Sequence, residues 1–101
     1  MKNLLIGVEV LAMQELEHAN IENGNKFNSM HEGYGVILEE VQEASEELDK
    51  VVQRLKQVWG AIRRDEYPEE AIQMLNHHAK LAACEAMQVV AMAQKFKDSF
   101  K

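Results

Sequence analysis

Tyr34–Ile62 reads Y-G-V-I-L-E-E-V-Q-E-A-S-E-E-L-D-K-V-V-Q-R-L-K-Q-V-W-G-A-I, and this stretch decides the fold class. Its apolar residues fall at 34, 37/38, 41, 44, 48, 51/52, 55, 58/59 and 62. Steps of three and four, sustained over so many turns, are the mark of a helix in a bundle or coiled coil. Upstream, Ser29 followed three residues later by Glu32 has the form of a capping box, so the helix is expected to start near Ser29 or His31. Gly33 and Gly35 weaken its first turns but allow something to approach closely. The helix is expected to end near Arg64, with Gly60 as the point where it would break.

Working outward, the N-terminal segment places Leu4, Leu5, Val8, Leu11, Ala12, Leu16 and Ala19 at helical spacing. A first helix is therefore expected over about Asn3 to Ile21, capped by Asn3 and stopped at Glu22-Asn23-Gly24-Asn25. On the other side, Asp65-Glu66-Tyr67-Pro68 is a boundary. Pro68 fits a first helical turn, and Glu69 and Glu70 suit its positive end. The last helix is expected over about Pro68 to Lys97. Its stretch LAACEAMQVVAMAQKF is small and apolar nearly all round, which implies burial on several sides and hence other subunits. No segment alternates like a half-buried strand, and no repeat is present, so the expected class is all-α.

With 101 residues, the chain reads as a single domain over 1–101. A domain of this size is marginal alone, which again favours a core completed by oligomerisation. The net charge of −6 argues against binding nucleic acid, which needs clustered bases, and suits a collector of cations. No apolar stretch is long enough to cross a bilayer, and LLIGVEVLAM carries Glu9 and no cleavage site, so no membrane span or signal peptide is expected. A lone cysteine, Cys84, permits no internal disulfide and fits a reducing, cytoplasmic setting.

Two sets of carboxylates call for explanation. In Glu39-Glu40-x-x-Glu43, Glu40 lies roughly 60–70° and Glu43 roughly 120–130° from the centre of the core face, on the same side. Side chains three apart are neighbours, so Glu40 and Glu43 form a pair of like charges at the core edge. A divalent cation would relieve their repulsion; Mg²⁺ takes carboxylate oxygens and keeps waters that can meet a phosphate. Glu-rich faces are more commonly just solvated, and the Glu46-Glu47-Asp49-Lys50 run reads that way. Glu85, the only charge between Lys80 and Lys95, falls on the apolar face of its helix. It needs a partner: either a lysine across an oligomer interface, or a metal shared with Glu40 and Glu43.

Other candidates fall away on spacing. Glu15-x-x-His18 is one di-iron half-motif where two are needed. His77-His78 has no further ligand for zinc, and Cys84 sits among alanines as a packing thiol. No phosphate-binding glycine loop or nucleophile elbow occurs.

The run F-N-S-M-H-E-G-Y-G-V-I-L-E-E-V-Q-E-A, Phe27 to Ala44, followed by C-E-A-M-Q-V-V-A-M-A-Q-K-F, Cys84 to Phe96, resembles the MazG-like nucleotide pyrophosphohydrolases, in their short single-domain form common in bacteria and phages. The resemblance implies the all-α NTP pyrophosphatase fold, with helical hairpins packed as a four-helix bundle in a homodimer or homotetramer. It implies hydrolysis of a nucleoside triphosphate to monophosphate and pyrophosphate with Mg²⁺, or Mn²⁺ in its place. Of the family's EExxE and ExxD motifs, Glu39, Glu40 and Glu43 match the first and Glu85 the start of the second, which makes Glu40, Glu43 and Glu85 the implied metal ligands. Gln88 stands where the family has Asp, and the interval between the motifs is longer than in its commonest form. Glu39 is the expected group for orienting the attacking water. Lys95 is expected to meet a phosphate, and His31, Tyr34 and Trp59 are the candidate groups for stacking on a base. The competing reading is a helical oligomer that has lost the full site and acts as an interaction module, which Gln88 favours.

Overall fold

The computed structural model describes residues 1–101 and contains three helices and no strand: α1 (Lys2–Asn23), α2 (Met30–Arg63) and α3 (Glu69–Phe100). The all-α reading holds. No helix is long and apolar enough to cross a membrane.

The ends of α2 show why it is so long. Ser29 Oγ accepts a hydrogen bond from the Glu32 N–H at 3.0 Å. The Glu32 carboxylate closes back one residue earlier than the expected box, onto the Asn28 N–H at 3.2 Å and the Asn28 side-chain amide at 3.1 Å. At the far end, Glu66 N–H donates to Ala61 O and Asp65 N–H to Ile62 O, with Asp65 at φ 55°. This is a Schellman stop with aspartate at the position glycine usually holds. The anticipated break at Gly60 does not occur: α2 runs through it to Arg63 with Val58 and Ala61 buried on either side, against a helix penalty of about 1 kcal/mol for one glycine. Asn3 is not a cap: α1 begins at Lys2, with Met1 at the cap position and no side-chain cap bond. Pro68 stands one residue before α3 as its cap, and Glu69 and Glu70 occupy the first turn as expected.

α2 and α3 form an antiparallel hairpin, with Gly33 against Phe96 at one end and Glu47 bonded to His78 further along. α1 packs on α3, and its backbone makes no approach to α2. The core is thin. Leu16, Phe27, Ala91 and Met92 form a buried cluster, ringed by Val36, Ile37 and Phe96, at the place where α1, the loop before α2 and α3 meet. Only 9 of 101 residues are buried, in a molecule measuring 56 × 29 × 22 Å, so most of the apolar inventory lies outside that cluster.

The apolar pattern of α2, read from sequence as one seam, is two. Positions 33, 37, 40, 44, 47, 51, 54, 58 and 61 are buried or half-buried and face α3. Positions 34, 38, 41, 45, 48, 52, 55, 59 and 62 are all exposed. The second set is the first displaced by one residue, and so by about 100° around the helix.

Gly33 makes the hairpin possible at its open end. A Cβ there would come within 2.6 Å of a Phe96 ring carbon and 3.0 Å of Phe27. Gly35 has open space around it. Gly35→Ala is therefore expected to raise stability by up to about 1 kcal/mol through helix propensity. Gly33→Ala is expected to lower it by about 1–3 kcal/mol through overpacking. Urea unfolding of the two variants tests this; equal signs would mean that the ring packing at Gly33 is not as described.

Candidate metal centre

α2 presents Glu40, Glu43 and Glu47 at three-four spacing, and α3 presents His78 and Glu85 seven residues apart on the side facing it. The hairpin interleaves these two sets. Carboxylate oxygens of Glu40, Glu43 and Glu85 lie within 4.8 Å of one another. Glu40 and Glu85 are half-buried and Glu43 is exposed. None of the three forms an ion pair with Lys, Arg or His.

Their charge is therefore uncompensated. Partial burial is the main cause that raises the Glu40 pKa above its usual 4.5, followed by the negative charges of Glu43 and Glu39. Glu85 is also raised, first by burial, then by the adjacent Glu43 oxygen, to which only its protonated form can donate, and by the charges of Glu43, Glu40 and Glu47. One turn along, Glu47 behaves oppositely. His78 Nδ1 lies 2.9 Å and Lys50 Nζ 3.2 Å from its oxygens, and these bonds lower its pKa, His78 foremost. Glu47 was expected on a solvated face; it is half-buried and bonded across the hairpin.

The donor set fits a hard divalent cation. It is all oxygen, anionic and open on the Glu43 side, and the nearby imidazole is engaged by Glu47. It does not suit tetrahedral zinc, which favours nitrogen and sulfur ligands.

The remaining expected residues are dispersed. Glu39 sits beside Glu40 on the exposed side of α2. Gln88 turns away from the carboxylates, and its Nε2 donates to Glu15 Oε2 on α1 at 2.9 Å. Lys95 is buried, its Nζ 4.8 Å from the centre of the Phe27 ring, and it stands ten residues, roughly 15 Å, along α3 from Glu85. His31 and Tyr34 border a shallow hollow with Met30 and Phe96. Trp59 is exposed, roughly 37 Å along α2 from Tyr34. Within one chain, then, these three do not form a single base pocket.

The raised pKa values have a consequence for stability. A carboxyl whose folded pKa is raised binds its proton more tightly when folded, so the folded state loses stability as pH climbs above 4.5 through the raised value. Glu47, with a lowered pKa, contributes stability above 4.5 that is lost only below it. In chelator, thermal stability is thus expected to fall as pH rises above 4.5. Mg²⁺ is expected to restore it, by about 2.7 kcal/mol at a hundredfold excess over Kd. Circular dichroism melts across pH, with and without Mg²⁺, measure both; a flat profile that Mg²⁺ leaves unchanged would rule out an uncompensated cation-binding cluster.

No family model, curated protein or solved structure matches the chain.

Proposed function

We propose that the chain is a Mg²⁺-dependent hydrolase of nucleoside triphosphates, releasing pyrophosphate and the monophosphate, with Glu40, Glu43 and Glu85 as the metal-holding residues. The observation that carries this reading is the convergence of three unpaired carboxylates from two helices within 4.8 Å. The likeness of Phe27–Ala44 and Cys84–Phe96 to MazG-like enzymes supports the choice of substrate.

A bound divalent cation supplies charge neutralisation for the triphosphate and a more acidic water. The chain's own residues do the rest. Glu40 and Glu85, half-buried, come from the two arms of the hairpin, which brings their oxygens together with those of Glu43. Glu43 is exposed and leaves one side open to a ligand. Glu39, beside Glu40 on the exposed side of α2, is the group proposed to orient or deprotonate the attacking water. Glu47 and His78 brace the end of the cluster.

The second reading, a non-catalytic interaction module, is favoured by one observation. Gln88 engages Glu15 and leaves the cluster with three carboxylates. Assay of pyrophosphate release from a panel of ribo- and deoxynucleoside triphosphates, with Mg²⁺, Mn²⁺ or chelator, separates the two. Metal-dependent release supports the hydrolase; a folded protein silent across the panel supports the module.

A further inference from the structure

Asn23-Gly24 closes α1, and it is the only place in the chain where glycine follows asparagine. Gly24 holds φ 84°, in the left-handed region that favours glycine. The residue that lets the helix end therefore also lacks the side chain that would hinder attack by its backbone nitrogen on the preceding asparagine. Both residues are exposed to water.

One hydrogen bond stands in the way. The Gly24 N–H donates to Asn20 O at 3.0 Å, so its nitrogen is not free to attack while the last turn is closed. That turn is weakly closed. It carries Glu22 and no basic residue, which is the wrong sign for the negative end of a helix. Asn20 Oδ1 is buried there without a hydrogen-bond partner, and opening returns that oxygen to water. The other asparagines lack this combination. Asn3, Asn20, Asn25 and Asn76 precede Leu4, Ile21, Lys26 and His77, whose side chains crowd the backbone nitrogen. Asn28 precedes the smaller Ser29, but its side-chain amide donates to Glu32 at the start of α2.

We infer that Asn23 is a site of spontaneous deamidation, reached when the last turn of α1 opens. The Gly24 nitrogen gives up its proton to base and attacks Asn23 Cγ. The bond from Cγ to Nδ2 then breaks, and the nitrogen leaves as ammonia. Water opens the resulting cyclic imide at either carbonyl, which leaves aspartate or isoaspartate with no change of oxidation state. Both products add a negative charge beside Glu22 at the negative end of the helix. Isoaspartate also lengthens the main chain by a methylene, which moves Gly24 out of register with Asn20. Phe27, four residues on, anchors the same loop in the core, so the reaction slackens the joint between α1 and the α2–α3 hairpin. The inference rests on α1 and its loop and is independent of the hydrolase reading.

The test ages the full chain in mildly alkaline buffer, folded and in urea, and maps its peptides by mass spectrometry with separation of aspartate from isoaspartate. Asn23 is expected to convert first, to both products. Its rate in the folded protein is expected to lie within about tenfold of the rate in urea, because helix ends open at little cost. Glu22→Arg, which places a base in the last turn, is expected to slow the folded protein and not the unfolded one. Native trypsin cleavage after Lys26 is expected to be about two- to five-fold faster in Asn23→Asp than in Asn23→Gln, the scale of one unfavourable charge at a helix end. Conversion of Asn23 in urea but not in the folded protein, earlier conversion of Asn25 or Asn28, or equal folded rates with Glu22 and Arg at that position would each overturn the proposal.

Discussion

Glu85→Gln is expected to cut metal-dependent pyrophosphate release by on the order of 10²–10³-fold, the scale of removing one charge-stabilising group from a site. The amide keeps the size of the side chain and its place in the hairpin but loses the charge that a hard cation seeks. The same change is expected to raise stability in chelator, because Glu85 stands among the charges of Glu43, Glu40 and Glu47 with no base to offset them. Opposite effects on activity and stability are the signature of a site kept for its ligand rather than for its packing. Glu40→Gln is expected to act in the same way, while Glu46→Gln, on the exposed side of α2, leaves both quantities unchanged. If hydrolysis survives Glu40→Gln and Glu85→Gln together, these carboxylates are not the metal ligands.

Phe27→Ala is expected to be the most damaging single truncation for the fold, at about 3–5 kcal/mol. Phe27 lies in the loop before α2, yet its side chain is 7 % exposed and belongs to the central cluster. Its N–H donates to Ser99 Oγ at 3.0 Å, and Ser99 in turn donates to the Lys95 carbonyl at 2.7 Å. Its ring also faces the ammonium of Lys95, a residue only 4 % exposed that has no acidic partner. A cation–π contact contributes about 0.5–2 kcal/mol, more as the cation loses water. Phe27→Leu keeps apolar volume but not the ring face, so it is expected to fall between wild type and alanine. Lys95→Met in the Phe27→Leu background is expected to recover part of the loss, since it removes a buried charge left without its ring. Urea denaturation measures all three; a cost below about 1 kcal/mol for Phe27→Ala would show that the loop does not clamp the core.

The helices were legible because their signals are local. The spacing of α2, its Ser29 start and the acidic first turn of α3 are statements about neighbours in sequence. Glu85 was legible as a group out of place, since a carboxylate on an apolar face demands a partner whatever the fold. Glu47 with His78 was not: they are separated by 31 residues, and their meeting depends on hairpin register. That register is set by the turn after Arg63 and by the Gly33–Phe96 fit, neither of which has a periodicity to read. The two seams of α2 were merged into one for a related reason. Their apolar members, such as Ile37 and Leu38, Val51 and Val52, and Val58 and Trp59, lie a single residue apart, so only the position of α3 shows which seam is already covered. The stacking trio of His31, Tyr34 and Trp59 failed on distance, because residue type says nothing of separation along a long helix.

Among the helices, α1 makes its backbone approach to α3 alone, and its Leu16 joins the loop residue Phe27 in the central cluster. Its release would expose Ala12 and Leu16 but leave the α2–α3 hairpin and its carboxylates in place. Opening is therefore hierarchical. Backbone amides of α1 should exchange with solvent deuterium through an event of lower free energy than those in the middle of α2 and α3, which wait for the hairpin itself to part.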